Sequence, residues 1–379
     1  MRSVGSIEGC APPPERFVPQ QYIAPDGSFD PAKVAALGIP RELLLKLYRG
    51  MLLIRIIDER MLTLQRQGRI SFYGEARGQE AAVVGTAAAF SPSDYVLPAL
   101  REAGVALYRG LPLSAYIAQI YGNSNDLTKG RQMPCHPGSR ASRYVTMSSC
   151  IATQLPHAVG LAMAAKLKHD PIVVAGYMGD GATSEGDFHV ALNFAAVFRA
   201  PVVFVCQNNQ WAISTPVAGQ TASPTMAHKA MGYGIPALRV DGNDVVACYA
   251  ATREAAAYAR AGGGPIFVEA LTYRVSAHST SDDPSRYRDE SVTAVWKNER
   301  DPLARFRHFL RVIGGLSEGV DTALHEAIEA EIKSAVVAEE AAGLPALQTL
   351  IEDVFATPTP ALREQLAEVA AALPARPHH

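Results

Sequence analysis

The chain has 379 residues, 48% of them apolar, and a formal charge of −2. That length and apolar content suffice for one large α/β domain with extensions, or for two domains. The near-neutral balance provides no electrostatic grip on nucleic acid or on an acidic membrane, so neither is expected as a partner.

Residues 1–40 are rich in proline and glycine and read as an extended arm. The opening MRSVGSIEGCAPPPERF has acids and prolines but no apolar core, unlike a secretory signal or a transit peptide. No apolar run reaches the roughly 20 residues of a bilayer span. Cys10, Cys135, Cys150, Cys206 and Cys248 include no C-x-x-C pair and read as reduced thiols. A cytoplasmic protein is expected.

Helical periodicity begins at Arg41 in RELLLKLYRGMLLIRIIDERMLTLQRQG, with Gly68 as its stop. GQEAAVVGTAAAF reads as a closely packed helix. Residues 121–144 form a long polar loop, a length usually associated with function or mobility. TQLPHAVGLAMAAKLK is helical and PIVVAGYMGD a buried strand. EGDFHVALNFAAVFR follows as a helix with Phe188, Leu192, Ala195 and Phe198 on one stripe. PVVFVCQNN, ALRVDGND and GPIFVEALTYR are further strands, with VVACYAATREAAAYARAG a helix between the last two. Continuous apolar strands alternating with helices predict an α/β fold: a doubly wound, mostly parallel sheet with helices on both faces, over 41–310. Residues 311–379 are expected as a helical tail, with Leu324, Ile328, Ile332 and Val336 as its apolar stripe.

In such a sheet, ligands bind beyond the carboxyl ends of the strands. Asp180 ends one strand and Asn208 and Asn209 end the next. Either motif alone reads most simply as a turn. Together, on consecutive strands, they offer a carboxylate and an amide oxygen, a hard set suited to Mg²⁺ beside a phosphate. Gly179 and Gly181 allow close backbone approach. Ser184 and Asp187 have capping-box spacing at the following helix, whose free N–H groups would face an anion. A dinucleotide fingerprint fits poorly, because the next glycine is Gly186, and there is no Walker sequence.

The stretch GDGATSEGDFHVALNFAAVFRAPVVFVCQNN resembles the thiamine-diphosphate motif, which opens on Gly-Asp-Gly and closes on Asn-Asn. SSCIATQLPHAVG, VDGNDVVACYAATREA and EALTYRVSAHSTSDDPSRYR resemble the alpha subunits of branched-chain 2-oxoacid dehydrogenases, the decarboxylase component of the complex. The similarity runs from about Arg41 to about Leu310. It implies a thiamine-diphosphate-binding fold and, specifically, its diphosphate-binding domain. It makes Asp180, Asn209 and the backbone oxygen of Trp211 the Mg²⁺ ligands. Arg101 in ALREAG would contact the diphosphate. Gln207 stands where some relatives have a phosphate-binding arginine, and Leu100 where they often have tyrosine. Ser149, Ile151 and Ile213 would line the middle of the cofactor. Ser148, Thr153 and Gln154 match a monovalent-cation site, which K⁺ would occupy.

His278 lies in a polar loop directly after a buried strand, where catalytic residues concentrate. The resemblance makes it an active-site histidine, and an imidazole titrates near neutrality. Ser149 is expected beside it in catalysis. Relatives often have a second histidine at the Ala277 position. Ser279 matches a serine phosphorylated in mitochondrial relatives, where added charge would disturb the loop; with no transit peptide expected, that regulation is not expected here. Phe72 and Tyr73 in RISFYGEARGQE match a loop near the substrate side chain, although aromatic residues are as often simply core.

The resemblance implies oxidative decarboxylation of a branched-chain 2-oxoacid and reductive acylation of lipoamide. Only the diphosphate-binding domain is legible; the resemblance implies that a beta subunit carries the pyrimidine-binding domain in an α₂β₂ assembly, alongside the lipoyl domain of an acyltransferase. The alternatives are a pyruvate or acetoin dehydrogenase alpha subunit, and a catalytically silent nucleotide- or metal-binding homologue. A Rossmann NAD enzyme lacks its glycine fingerprint.

Overall fold

The computed structural model describes residues 18–372. Residues 1–17 of the arm, with Cys10, and 373–379, with His378 and His379, lie outside them. Among the described residues no helix is long and apolar enough to cross a membrane.

The arm bonds to the domain that follows it. Gln20 donates to Arg239 O and accepts from Asp241 N, both at 2.9 Å, as an extra edge strand would. The Tyr22 and Ile23 amides donate to Asp244 Oδ2 at 2.7 and 2.8 Å. A short helix, α1 (Pro31–Ala36), is capped by Asp30. The predicted long helix is α2 (Arg41–Arg66), whose core face includes Leu47, Met51, Ile54 and Ile57. Gly68 follows it with φ 72°, a left-handed stop that glycine adopts without strain.

The alanine-rich segment is α3 (Glu80–Ala88), seated on the core by its small side chains. Strand β1 (Tyr95–Leu97), α4 (Ala103–Tyr108) and α5 (Leu113–Tyr121) come next. The polar loop leads to α6 (Gln154–Leu167), β2 (Val174–Gly179), α7 (Gly186–Phe198) and β3 (Val202–Asn208). A small hairpin of β4 (Trp211–Ala212) and β5 (Thr215–Pro216) then leads to α8 (Met226–Met231), β6 (Ala237–Asp241), α9 (Val245–Tyr258) and β7 (Ile266–Leu271).

The main sheet is parallel throughout, in the order β1-β2-β3-β7-β6. Alternation along β3 separates two cores. Val203 and Val205 face α2, α3, α9 and the tail, whereas Val202, Phe204 and Cys206 face α6, α7 and α8. The crossovers β2–α7–β3 and β6–α9–β7 run in opposite directions across the sheet. Because parallel crossovers are right-handed, their helices fall on opposite faces. The carboxyl ends of β2, β3 and β7 therefore open onto one crevice.

Two helices, α10 (Glu290–Asn298) and α11 (Pro302–Val312), lie wholly or mostly before residue 311, and the described part of the segment beyond carries α12 (Glu318–Ala341), α13 (Thr349–Glu352) and α14 (Pro360–Ala372). Ile328, Ile332 and Val336 are buried against the core, and Leu324 packs at its edge.

Two local expectations need correction. The helix after Asp180 does not begin with a Ser184–Asp187 capping box. Thr183 folds back on Asp180 O through its N–H (3.1 Å) and its hydroxyl (2.7 Å), making Gly181–Ser184 a 3₁₀ turn, and α7 starts at Gly186 without a side-chain cap. Phe198 is 45% exposed, because the helix ends there on Arg199 in the left-handed conformation.

Candidate functional site

Asp180 directly follows β2 and Asn209 directly follows β3. The strands pair in register up to Gly179 opposite Gln207, so the two side chains emerge from adjacent strand ends. Asp180 is 2% exposed; Gln220 Nε2 donates to its Oδ2 at 3.0 Å, while Oδ1 is buried with no partner. Burial raises the Asp180 pKa, and the Gln220 amide, the Asn209 backbone N–H and Arg274 offset part of that shift. An anionic oxygen buried in this way calls for a cation. Gly181 is obligatory here, because a Cβ would lie 2.6 Å from that of Ala212. Gly179 has open space around its missing Cβ, so only the second glycine is sterically required.

The Asn209 amide is oriented by a residue far away in the chain. Its Nδ2 donates to Gln79 Oε1 at 3.1 Å, which leaves Oδ1 as the outward acceptor, touched by Trp211 N at 3.2 Å. Asn208, by contrast, points away: its Nδ2 donates to buried Glu269 at 2.8 Å and serves the sheet. Among the described residues no three His, Cys, Asp or Glu side chains cluster as a metal site. The oxygen set here has a single carboxylate, and Mg²⁺ commonly completes such a set with phosphate and water.

Backbone strain marks the rim. Ala152 (φ 67°), Gln210 (φ 71°) and Ile213 (φ 52°) are left-handed without being glycine, and a β-branched residue there is an outlier. Arg274 Nη2 holds Ile213 O at 2.7 Å. Ile151 and Ile213 are 58% and 54% exposed.

His278 sits on the loop after β7. Its backbone N–H donates to Asp282 Oδ2 at 2.7 Å, the same oxygen that accepts from Tyr287 OH at 2.5 Å. Arg274 Nη2 reaches Tyr287 OH at 2.8 Å. Arg101 joins this loop to Glu75: Nη2 donates to His278 O at 2.7 Å and lies 3.4 Å from Nδ1, and Nη1 donates to Glu75 O. Arginine only donates, so Nδ1 accepts and the ring proton lies on Nε2. Desolvation first, then Arg101 and Arg274, lower the His278 pKa to about 4. The ring is neutral at physiological pH. Ser279 is 9% exposed behind it.

Ser149 is exposed, and its Oγ meets His136 Nε2 at 2.6 Å. His136 Nδ1 contacts Pro134 O at 3.0 Å, so Nδ1 carries the proton and Nε2 accepts from the serine. Ser148 Oγ accepts from Cys150 N at 3.2 Å, Thr153 is half-buried, and Gln154 Nε2 is committed to Tyr177 O at 2.7 Å. Thr153 ends the turn before α6, Gln154 is the first residue of α6, and Ser148 precedes the turn. Tyr73 turns inward: its hydroxyl donates to Asp58 at 2.8 Å, and its backbone pairs with Thr280 beside the histidine loop. The cavity beneath Arg101, between Tyr73, Leu100 and Tyr116, measures about 10 Å³, the room of one water. Phe72 is half-buried, packed against the main core.

Sequence reading missed Gln79, Gln220, Glu102, Arg274, Asp282, Tyr287 and His136. Arg274, Asp282 and Tyr287 stood inside the quoted EALTYRVSAHSTSDDPSRYR, where polar residues between a strand and a helix were a usable signal. Gln79 and Gln220 have no local signature, and only their contacts expose them.

The dehydrogenase E1 component family model matches residues 48–348. The chain is 44% identical over 362 residues to the 3-methyl-2-oxobutanoate dehydrogenase subunit alpha of Mycobacterium tuberculosis, covering 94% of both proteins. It is 45% identical over 327 residues to the mitochondrial 2-oxoisovalerate dehydrogenase subunit alpha 2 of Arabidopsis thaliana, covering 86% of this chain and 69% of that one. The human mitochondrial 2-oxoisovalerate dehydrogenase subunit alpha is 44% identical over 332 residues, 88% of this chain and 75% of its own length. With that match spanning most of its length, the chain belongs to the dehydrogenase E1 component family.

Proposed function

We propose that this chain is the alpha subunit of a thiamine-diphosphate-dependent branched-chain 2-oxoacid dehydrogenase, the component that decarboxylates the 2-oxoacid and acylates lipoamide. The observation that carries this reading is the buried, partnerless Asp180 Oδ1 beside Asn209 at neighbouring strand ends. Asp180, Asn209 and the Trp211 carbonyl would hold Mg²⁺. Arg101, Gln207 and His278 would face the diphosphate, with Gly181 giving the backbone its close approach and Gly179 alongside. Ser149, Ile151 and Ile213 would border the rings, and Ser148, Thr153 and Gln154 a monovalent cation such as K⁺.

When bound, thiamine diphosphate supplies the carbanion and electron sink that decarboxylation requires. The protein residues supply position and protons. Neutral His278 offers its Nε2 proton to an acceptor in the crevice, with Arg101 fixing that tautomer from behind. Ser149 Oγ is polarised by His136, which can take the hydroxyl proton. Arg101 and Arg274 bring two buried guanidinium groups to an anion site, and burial depresses both of their pKa values. Phe72 remains at the edge of the substrate side, while the Tyr73 phenol serves Asp58.

Among the described residues there is one parallel sheet, of five strands, beside the small β4–β5 hairpin. The groups that act on the aminopyrimidine would come from a beta subunit, within an α₂β₂ assembly visited by a lipoyl domain. The test is reconstitution with a candidate beta subunit, thiamine diphosphate and Mg²⁺, comparing 3-methyl-2-oxobutanoate with pyruvate. The assembly is expected to prefer the branched substrate and the isolated chain to be inactive. Turnover by the chain alone, or preference for pyruvate, overturns this assignment.

A further inference from the structure

Gln207 closes β3 and is 2% exposed; its Nε2 donates to Oε1 of Glu102, itself 2% exposed, while Gln207 Oε1 is buried with no partner. Glu102 Oε2 accepts the Arg101 backbone N–H at 3.1 Å. The Arg101 guanidinium does not turn to this carboxyl, because Glu75 O and His278 O occupy it. None of the ion pairs among the described residues includes Glu102. The other titratable groups that face it are Tyr144, before α6, and Tyr177, on β2, both fully buried phenols with raised pKa values. Glu102 is thus a buried carboxyl with no counter-charge in hydrogen-bond contact, and such groups favour their neutral form.

A neutral acid changes what it asks of its neighbour. An ionised Glu102 needs an N–H from Gln207 and leaves the amide oxygen unpaired. A protonated Glu102 can donate instead, and a half-turn about the last Gln207 torsion exchanges amide oxygen and nitrogen at little steric cost. The orphaned oxygen then gains a partner, and the NH₂ group becomes the free end.

We infer that Glu102 acts as a neutral carboxylic acid that orients Gln207, its O–H donating to Gln207 Oε1 so that the amide NH₂ is presented to a diphosphate oxygen. The inference rests on the proposed cofactor for the identity of the anion. The state of Glu102 stands on the buried contacts alone. Glu102 is a positioning residue: it acts through Gln207 and touches no reactant. Burial raises its pKa to about 7, against the Arg101 charge and the backbone N–H groups around it. As pH rises through that value, the amide is drawn back to the carboxylate, and its oxygen is left facing the anion.

Two measurements decide the inference. Infrared difference spectra of the full-length chain without cofactor, at about pH 6 and about pH 8.5, should show a protonated-carboxyl stretch at the lower pH. That band should be missing from Glu102→Gln, and from Gln207→Arg, whose guanidinium would ionise Glu102. In the assembled enzyme, calorimetric affinity for thiamine diphosphate with Mg²⁺ should fall roughly tenfold over the same interval, the value of one hydrogen bond to a charged group. Glu102→Gln, whose amide can donate to Gln207 Oε1, should hold the low-pH affinity at both values. Glu102→Ala should be weak at both. No acid band from Glu102 at about pH 6, or the same affinity slope in wild type and Glu102→Gln, overturns the inference. Failure of every form to bind thiamine diphosphate would instead overturn the cofactor assignment, with the infrared result still deciding the state of Glu102.

Discussion

The Asp180–Asn209 corner and the His278 loop meet at Arg274, yet they owe their positions to different forces. The corner hangs from two central strands whose ladder runs from Val174–Val202 to Gly179–Gln207, with fully buried side chains on both faces. Moving either residue means breaking sheet hydrogen bonds and opening a close-packed core. The loop at 276–288 has no such ladder. Asp282 ties His278 to Tyr287, Arg288 Nη1 donates to Arg274 O at 2.7 Å, and Thr280 N donates to Tyr73 O at 3.0 Å. A handful of polar contacts sets its shape, which puts it at the low-stability end of the molecule. The proposed binding groups are therefore fixed by the fold, and the proposed proton-handling group is fixed by a network that can loosen.

Substitution should separate the two. Asp180→Ala removes the only carboxylate of the proposed metal set, and should weaken Mg²⁺-dependent thiamine-diphosphate binding in the assembly by more than about 100-fold. Its thermal midpoint should hold or rise, since a partnerless buried carboxyl oxygen is removed with it. A variant that binds normally would show that the corner is not the anchor. Asp282→Ala should lower kcat by roughly 10- to 100-fold, the cost of losing hydrogen bonds to a charged acceptor. Cofactor affinity should change far less, and limited proteolysis should open the chain between Ala277 and Arg288. Equal losses in affinity and kcat would erase the distinction between the two regions.

The smallest effect concerns pH. His278 has a folded pKa of about 4 against an ordinary 6.5, so below 6.5 the unfolded chain takes up a proton that the folded chain refuses. The stability contribution is complete above 6.5 and falls as pH drops toward about 4. His278→Asn should flatten the thermal midpoint across that window, as read by calorimetry. An unchanged slope would mean that the imidazole is not held neutral by its surroundings.

Much of this was legible along the chain. Apolar runs bounded by turn residues marked β2, β3 and β7, because a strand covered on both faces must be apolar along its whole length, and ALRVDGND marked the half-buried edge strand β6. β1 escaped notice, since Tyr95–Leu97 is three residues long and has no period to detect. The Ser184–Asp187 cap failed because Thr183 won Asp180 O for a tighter turn. Asp180, Asn209 and His278 could be placed by local pattern and resemblance, whereas the Gln220 and Gln79 amides that hold the first two could not.

What the sequence determined by itself is therefore periodic and local: which segments are strands, which strand ends carry a carboxylate and an amide, and which loop carries a histidine. The tertiary structure alone decided that Gln79 orients Asn209 from 130 positions away, that Gln220 serves Asp180, that Asn208 belongs to the sheet and that Glu102 lies against Gln207. The reason is physical. Propensity and periodicity act over a few residues, but burial without counter-charge and the orientation of an amide depend on groups that come together only when distant segments pack.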